Sequence, residues 1–184
     1  MAPAPVLTID QYFRTPESVL PTELIYGALR VAEAPTVWHQ QAVGAFHLAL
    51  APHVRARRLG RVLLSPVDVV LDPQRHLVMQ PDLLFVAAAR EHIIGRRVMG
   101  APDLVLEVLS PNPRIGTLDE RVRLFAEYGV REIWLLHQSR ERVETLAVSG
   151  GIVTARRTFD YHAHFPSDVL PDFTSPVEDI LGAA

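Results

Sequence analysis

The segment Asp103–Leu109 most limits what this chain can become. It reads DLVLEVL, an aliphatic strand of the kind buried inside a sheet, with a carboxylate in its middle. Alternation puts Leu104, Leu106 and Val108 on one face and Asp103, Val105, Glu107 and Leu109 on the other. A buried lone carboxylate is costly unless a cation, a metal or hydrogen-bond donors meet it. Two readings follow for Glu107: a glutamate held in an internal ion bridge, or a metal ligand. Asp82 poses the same question in a second apolar strand, Pro81–Val86, where a Pro-Asp pair also suits a local backbone bond. Taken together, two acids from adjacent strands suit one hard divalent ion, Mg²⁺ or Mn²⁺, with water completing its shell.

Residues 118–128 predict a helix closed by Gly129. At about 100° per residue, Leu118, Val122, Leu124, Phe125 and Tyr128 share a face, and Arg121 falls at its centre. Asp119, Glu120, Arg123 and Glu127 point elsewhere. A guanidinium aimed at the core calls for an anionic partner, Asp82 or Glu107. The alternative is that Arg121 runs along the helix flank to solvent.

Elsewhere, Thr8–Phe13 predicts a short helix with a Thr8/Gln11 capping box. Glu23–Val31 predicts a strand pair bent near Gly27. Residues 36–58 predict a helix whose apolar face is Trp38, Ala42, Val43, Phe46 and Leu50, kinked or restarted at Pro52 and stopped by Gly60. Strands follow at Arg61–Leu64 and Val67–Leu71, with Ser65-Pro66 as a bend and Asp72-Pro73 as a turn. Three antiparallel strands follow at Arg131–His137, Val143–Val148 and Ile152–Arg156. The expected architecture is one domain, residues 1–184, of the α/β (α+β) class: a mixed central sheet flanked by helices.

Composition narrows the chemistry. The chain has no cysteine, which excludes disulfides, thiolate metal sites and cysteine nucleophiles and suits a cytoplasmic protein. It has no lysine either: all 18 basic residues are arginines, so no step needing an ammonium can run on this chain alone. No apolar run is long enough for a membrane span, and the N-terminus lacks the pattern of a secretory signal. With a net charge of -3, contact with nucleic acid must use a local patch. Arg55, Arg57, Arg58 and Arg61 form the densest basic cluster, read either as phosphate contacts or as a solvated helix end. Glu23 is either an accessory carboxylate or a surface strand residue, and Asp68 either supports the site from behind or, as the favoured reading, faces solvent from an edge strand. His39 is expected in a core or capping role, and His39, His47 and His53 are spaced too widely for a metal constellation.

The stretches SPVDVVLD (65–72), QPDLLFV (80–86), APDLVLEVLSP (101–111) and LFAEYGVREIWLL (124–136), with ELIYGALRV (23–31) and the histidine of VWHQ (37–40), occur in an order and spacing that resemble the Uma (Uma-two) family. These are restriction-endonuclease-like proteins of the PD-(D/E)XK nuclease superfamily, and the likeness covers roughly residues 8–180. The resemblance implies a PD-(D/E)XK core and Mg²⁺-dependent hydrolysis of DNA phosphodiester bonds, in a homodimer for which strands 131–156 offer an edge. It also implies metal ligands at Asp82, Glu107 and Val108. The superfamily lysine two residues beyond the glutamate is Leu109 here. In this family the lysine comes instead from the following helix, at the position of Arg121; the usual acids nearby are Thr117 and His137. The metal-binding half of the pattern is thus intact and the lysine half altered. That leaves a second expectation, a nuclease-fold protein that binds nucleic acid or a protein partner without cutting.

Overall fold

The computed structural model describes residues 6–16, 20–109 and 116–181. Its elements are α1 (Ile9–Arg14), β1 (Thr22–Ile25), β2 (Ala28–Val31), α2 (Val37–Arg57), β3 (Gly60–Leu64), β4 (Val69–Asp72), β5 (Leu77–Met79), β6 (Leu83–Ala87), β7 (Val98–Met99), β8 (Leu104–Val108), α3 (Leu118–Glu127), β9 (Glu132–His137), β10 (Arg142–Ser149), β11 (Ile152–Asp160), β12 (His164–Pro166), β13 (Thr174–Pro176) and α4 (Val177–Leu181).

A six-stranded mixed sheet, in the order β11-β10-β9-β8-β6-β3, forms the centre. Only β8 and β9 run parallel in it, joined through α3; the other neighbours are antiparallel. One face packs on α2 and α4 through a cluster that includes Phe46, Leu50, Leu83, Phe85, Leu106, Trp134 and Phe165. The opposite face, with Leu84, Val105, Ile133 and Leu135, meets Val122 and Phe125 of α3 together with Ile25, Val69 and Leu77. Those last three belong to a second sheet, β2-β1-β5-β4-β7. α1 closes it through Tyr12, which packs with Leu24, Val70 and Val78. Mixed sheets flanked by helices are the expected class.

The second sheet is the main departure from expectation. β4 does not extend the central sheet after the Ser65-Pro66 bend but crosses to the other layer. Its partners β5 and β7 have three and two residues, too short for a legible alternation. Two further corrections concern α2. Pro52 does not restart it: the helix runs unbroken from Val37 to Arg57. The amide hydrogen that Pro52 lacks would have bonded the carbonyl of Leu48, whose side chain is 74% exposed, so water can take that carbonyl. Trp38 was expected on the apolar face with Ala42, Val43, Phe46 and Leu50; those four are buried, whereas Trp38 is 59% exposed. The first turn of α2 lies at the end of the sheet, where its contacts are polar: the Trp38 carbonyl with Gln138 and the His39 ring with Asp82.

Candidate functional site

The ladder between β6 and β8 pairs Leu83 with Leu106 and Leu84 with Val105. Carried one step further, that register sets Asp82 opposite Glu107, and opposed antiparallel residues project from the same face. The two acids therefore converge at one end of the sheet, on the face towards α3. Asp82 accepts the amide hydrogen of Val108 at Oδ2, 2.7 Å away, which ties the two strand ends together. In an extended residue the carbonyl leaves on the same edge as the amide, so the Val108 carbonyl also faces the Asp82 side.

Arg121 enters from α3 as its place on the apolar helix face implied, and it is buried. Nη2 and Nε donate to the two oxygens of Glu107 at 2.6 and 3.1 Å, a bidentate fork, and Nη1 donates to Glu23 Oε2 at 2.7 Å. Glu23 is fully buried, which overturns its surface reading, and its other oxygen accepts the Gln80 amide at 2.7 Å. Behind it, the Gln80 side chain donates to Asp68, which also takes Tyr12 Oη at 2.9 Å and Arg97 Nε at 3.0 Å. Asp68 therefore does not face solvent; it anchors a polar network at the back of the site. Thr117 caps α3 by accepting the Glu120 amide, which sets where the helix begins and so where Arg121 points.

His39 comes close as well. Thr36 caps α2 by accepting the His39 amide, and the imidazole Nε2 lies 3.2 Å from Asp82 Oδ2. The backbone thus takes part in the expected cap, but the ring joins the site. Of the two remaining departures from the family pattern, Leu109 packs against the core and His137 Nε2 lies 3.1 Å from Glu144 Oε1.

The charges do not balance. Three carboxylates, Glu23, Asp82 and Glu107, share one guanidinium and one imidazole. Burial raises the Glu107 carboxyl; Arg121 pulls it down, the Asp82 charge pushes it up again, and it comes to rest at about 7. For Arg121, burial alone would favour losing the proton, but Glu107 and Glu23 more than reverse this and hold it firmly charged. Burial likewise lowers His39, but the adjacent Asp82 carboxylate outweighs it and leaves the imidazole above its ordinary range. Three acids outnumber one guanidinium, His39 and the proton on Glu107 offset part of the excess, and the carboxylates and the Val108 carbonyl offer hard oxygens. That set fits a small divalent cation. Among the described residues no three His, Asp or Glu side chains form a ready cage. The residues that would hold an ion are Asp82, Glu107 and the main chain of Val108, with water in the remaining places.

The arginine cluster lies apart. β3 pairs Leu64 with Leu83 beside the acids but Gly60 with Ala87 at the far end of the sheet. Along α2, Arg57 is roughly 27 Å from His39 at 1.5 Å per residue. Arg55, Arg58 and Arg61 border a surface cleft of about 530 Å³, where Glu91 lies 3.4 Å from Arg61. Arg57 ends the same helix, exposed to solvent.

Glu23 and His39 are the two site groups that sequence reasoning undervalued. For Glu23 a signal existed: it is an acid in the apolar run ELIY, the same oddity that singled out Glu107.

The family profile described as "Putative restriction endonuclease", Uma2, matches residues 9–178. The chain belongs to the Uma2 family. The Uma2 fold is seen also in a crystal structure from Anabaena variabilis, titled a "putative nuclease". It superposes with a TM-score of 0.80 over 96% of this chain and 98% of that one, at 18% identity. No curated protein matches. Among the described residues no helix is long and apolar enough to cross a membrane.

Proposed function

We propose that this Uma2 protein is a metal-dependent endonuclease acting on DNA, with Asp82, Glu107 and the Val108 carbonyl as the seat of Mg²⁺ or Mn²⁺. The observation that carries this reading is the convergence of Asp82 and Glu107 from neighbouring strands onto one face, where three acids share a single guanidinium. When bound, the ion would polarise a phosphate and acidify a water. Asp82 and Glu107 would hold that ion, and the Val108 amide holds the Asp82 carboxylate in place. Arg121 offsets negative charge on the phosphate and fixes Glu107 in the same gesture. It takes no proton, because a guanidinium does not release its own in water. His39 Nε2 stands beside Asp82 and can take or give a proton there, a task no lysine of this chain can perform. The test is nicking of supercoiled plasmid by the pure protein with Mg²⁺ or Mn²⁺. Cleavage should vanish in Asp82→Ala and Glu107→Ala; cleavage that persists in both removes the proposed centre.

A second reading rests on Arg121 itself. Both Glu107 oxygens are already held by the guanidinium, so the arginine stands in for part of a metal's charge and the protein binds nucleic acid without cutting it. Calorimetric titration with Mn²⁺ separates the two: binding abolished by Glu107→Gln supports the first reading, no binding the second. A homodimer formed through β11 would pair an edge strand bearing Arg156 and Arg157, and charged edges resist strand pairing. Sedimentation velocity at two concentrations tests it.

A further inference from the structure

Trp38 is the largest exposed apolar side chain among the described residues, and it stands directly before His39, whose ring touches Asp82. Its position is fixed: the Trp38 carbonyl accepts Gln138 Nε2 at 2.9 Å. Gln138 follows β9, whose Leu136 lies beside Val108, so the contact sits at the same end of the sheet as the acids. Two residues on, Arg140 is exposed and has no carboxylate partner among the described residues, while its charge is close enough to act on His137. Core packing does not explain Trp38, because the chain's other tryptophan, Trp134, fills that role with no exposure at all.

We propose that Trp38 is a stacking platform for an unpaired nucleobase, with Arg140 meeting the phosphate beside it. The proposal rests on the endonuclease reading and names its substrate: a strand single, flapped or opened next to the cleaved bond. Trp38 and His39 are neighbours in the first turn of α2, so the base served lies close along the strand to the phosphate at Asp82. An indole face accepts any base, so the platform selects for unpaired structure rather than sequence. An exposed aromatic and a basic side chain at the same end of the sheet, joined through the Gln138–Trp38 contact, are the groups that single-strand binding uses.

The test uses the intact chain and its own fluorescence. Trp134 is sealed in the core, so a ligand-dependent change in emission reports Trp38. The protein is titrated, with Ca²⁺ present, with an oligothymidylate of about 12 nucleotides and with a blunt duplex of the same length. The single strand should quench the emission and the duplex should not. Trp38→Ala should weaken single-strand binding by on the order of fivefold to a hundredfold, and Trp38→Phe far less. Arg140→Ala should flatten the salt dependence. Equal quenching by the duplex, or Trp38→Ala binding as well as the parent, overturns the platform. So does a dimer that Trp38→Ala converts to a monomer in sedimentation, since a second copy then covers the indole. If plasmid nicking that depends on Asp82 survives while Trp38→Ala changes nothing, the platform fails alone. If there is neither nicking nor binding of either nucleic acid, the endonuclease reading falls with it.

Discussion

The two ends of β8 each bury a carboxylate on the same face, and they treat it in opposite ways. At the start of the strand Asp103 is fully buried and amply supplied: the Ala87 amide donates at 2.8 Å, Arg90 at 3.1 Å and Arg131 at 3.4 Å. Two guanidiniums, both reaching in from the surface, serve one acid. At the other end a single buried guanidinium serves Glu107 and Glu23, with Asp82 close by. Satisfied acids hold a fold together. Acids left short of positive charge favour a cation, and that contrast, more than burial alone, separates the structural end of the strand from the end proposed to hold an ion.

Removing Arg121 should have the largest effect. Arg121→Met leaves Glu107 and Glu23 buried without their partner and should cost about 3–5 kcal/mol of stability, read by urea denaturation. Combining it with Glu23→Gln and Glu107→Gln should restore most of the loss, because the penalty is uncompensated charge rather than lost packing. If Arg121→Met unfolds no more easily than the parent, the site end is not short of positive charge and the contrast is lost.

Next comes the coupling between protons and metal. The folded Glu107 carboxyl titrates at about 7 against an ordinary 4.5. A raised folded value means that the native state holds its proton longer than the unfolded chain does. The stability this contributes is therefore complete below about 4.5 and lost as the pH rises through 7. Denaturation of Glu107→Gln across that window should lack this part of the slope. Metal competes with the same proton, so Mn²⁺ affinity should climb by up to about tenfold per pH unit below neutrality and level off above it. Titration calorimetry at several pH values reads this directly; a flat affinity would place the ion elsewhere.

The two ends of the strand also differ in how far the sequence disclosed them. Glu107 and Arg121 were legible because each breaks a long, regular pattern: an acid amid aliphatic residues, an arginine on an apolar helix face. Asp82 was legible mainly through its likeness to a known motif. Glu23 and Asp68 were legible only as alternatives, because β1 has four residues and Asp68 precedes β4, so alternation had too few repeats to decide which way they faced. The second sheet was hidden for the same reason. Asp103 was placed on the correct face, but its partners Arg90 and Arg131 come from a connecting segment and a strand entrance, where no period operates. His39 depended on where the first turn of α2 met the end of the sheet, which is a matter of helix placement rather than of any local pattern.

The smallest effect should come from Arg131. Its side chain is 60% exposed and its bond to Asp103, at 3.4 Å, is the longest of the three. Solvent screens such a pair, and Arg90 and the Ala87 amide remain when it is gone, so Arg131→Ala should cost no more than about 0.5 kcal/mol. It should leave Mn²⁺ affinity unchanged, since it lies at the other end of the strand. The paired measurement matters more than either value. If Arg131→Ala destabilised as much as Arg121→Met, Asp103 would be as short of positive charge as Glu107. The excess of acid would then be a property of the whole strand and no longer a pointer to a metal site.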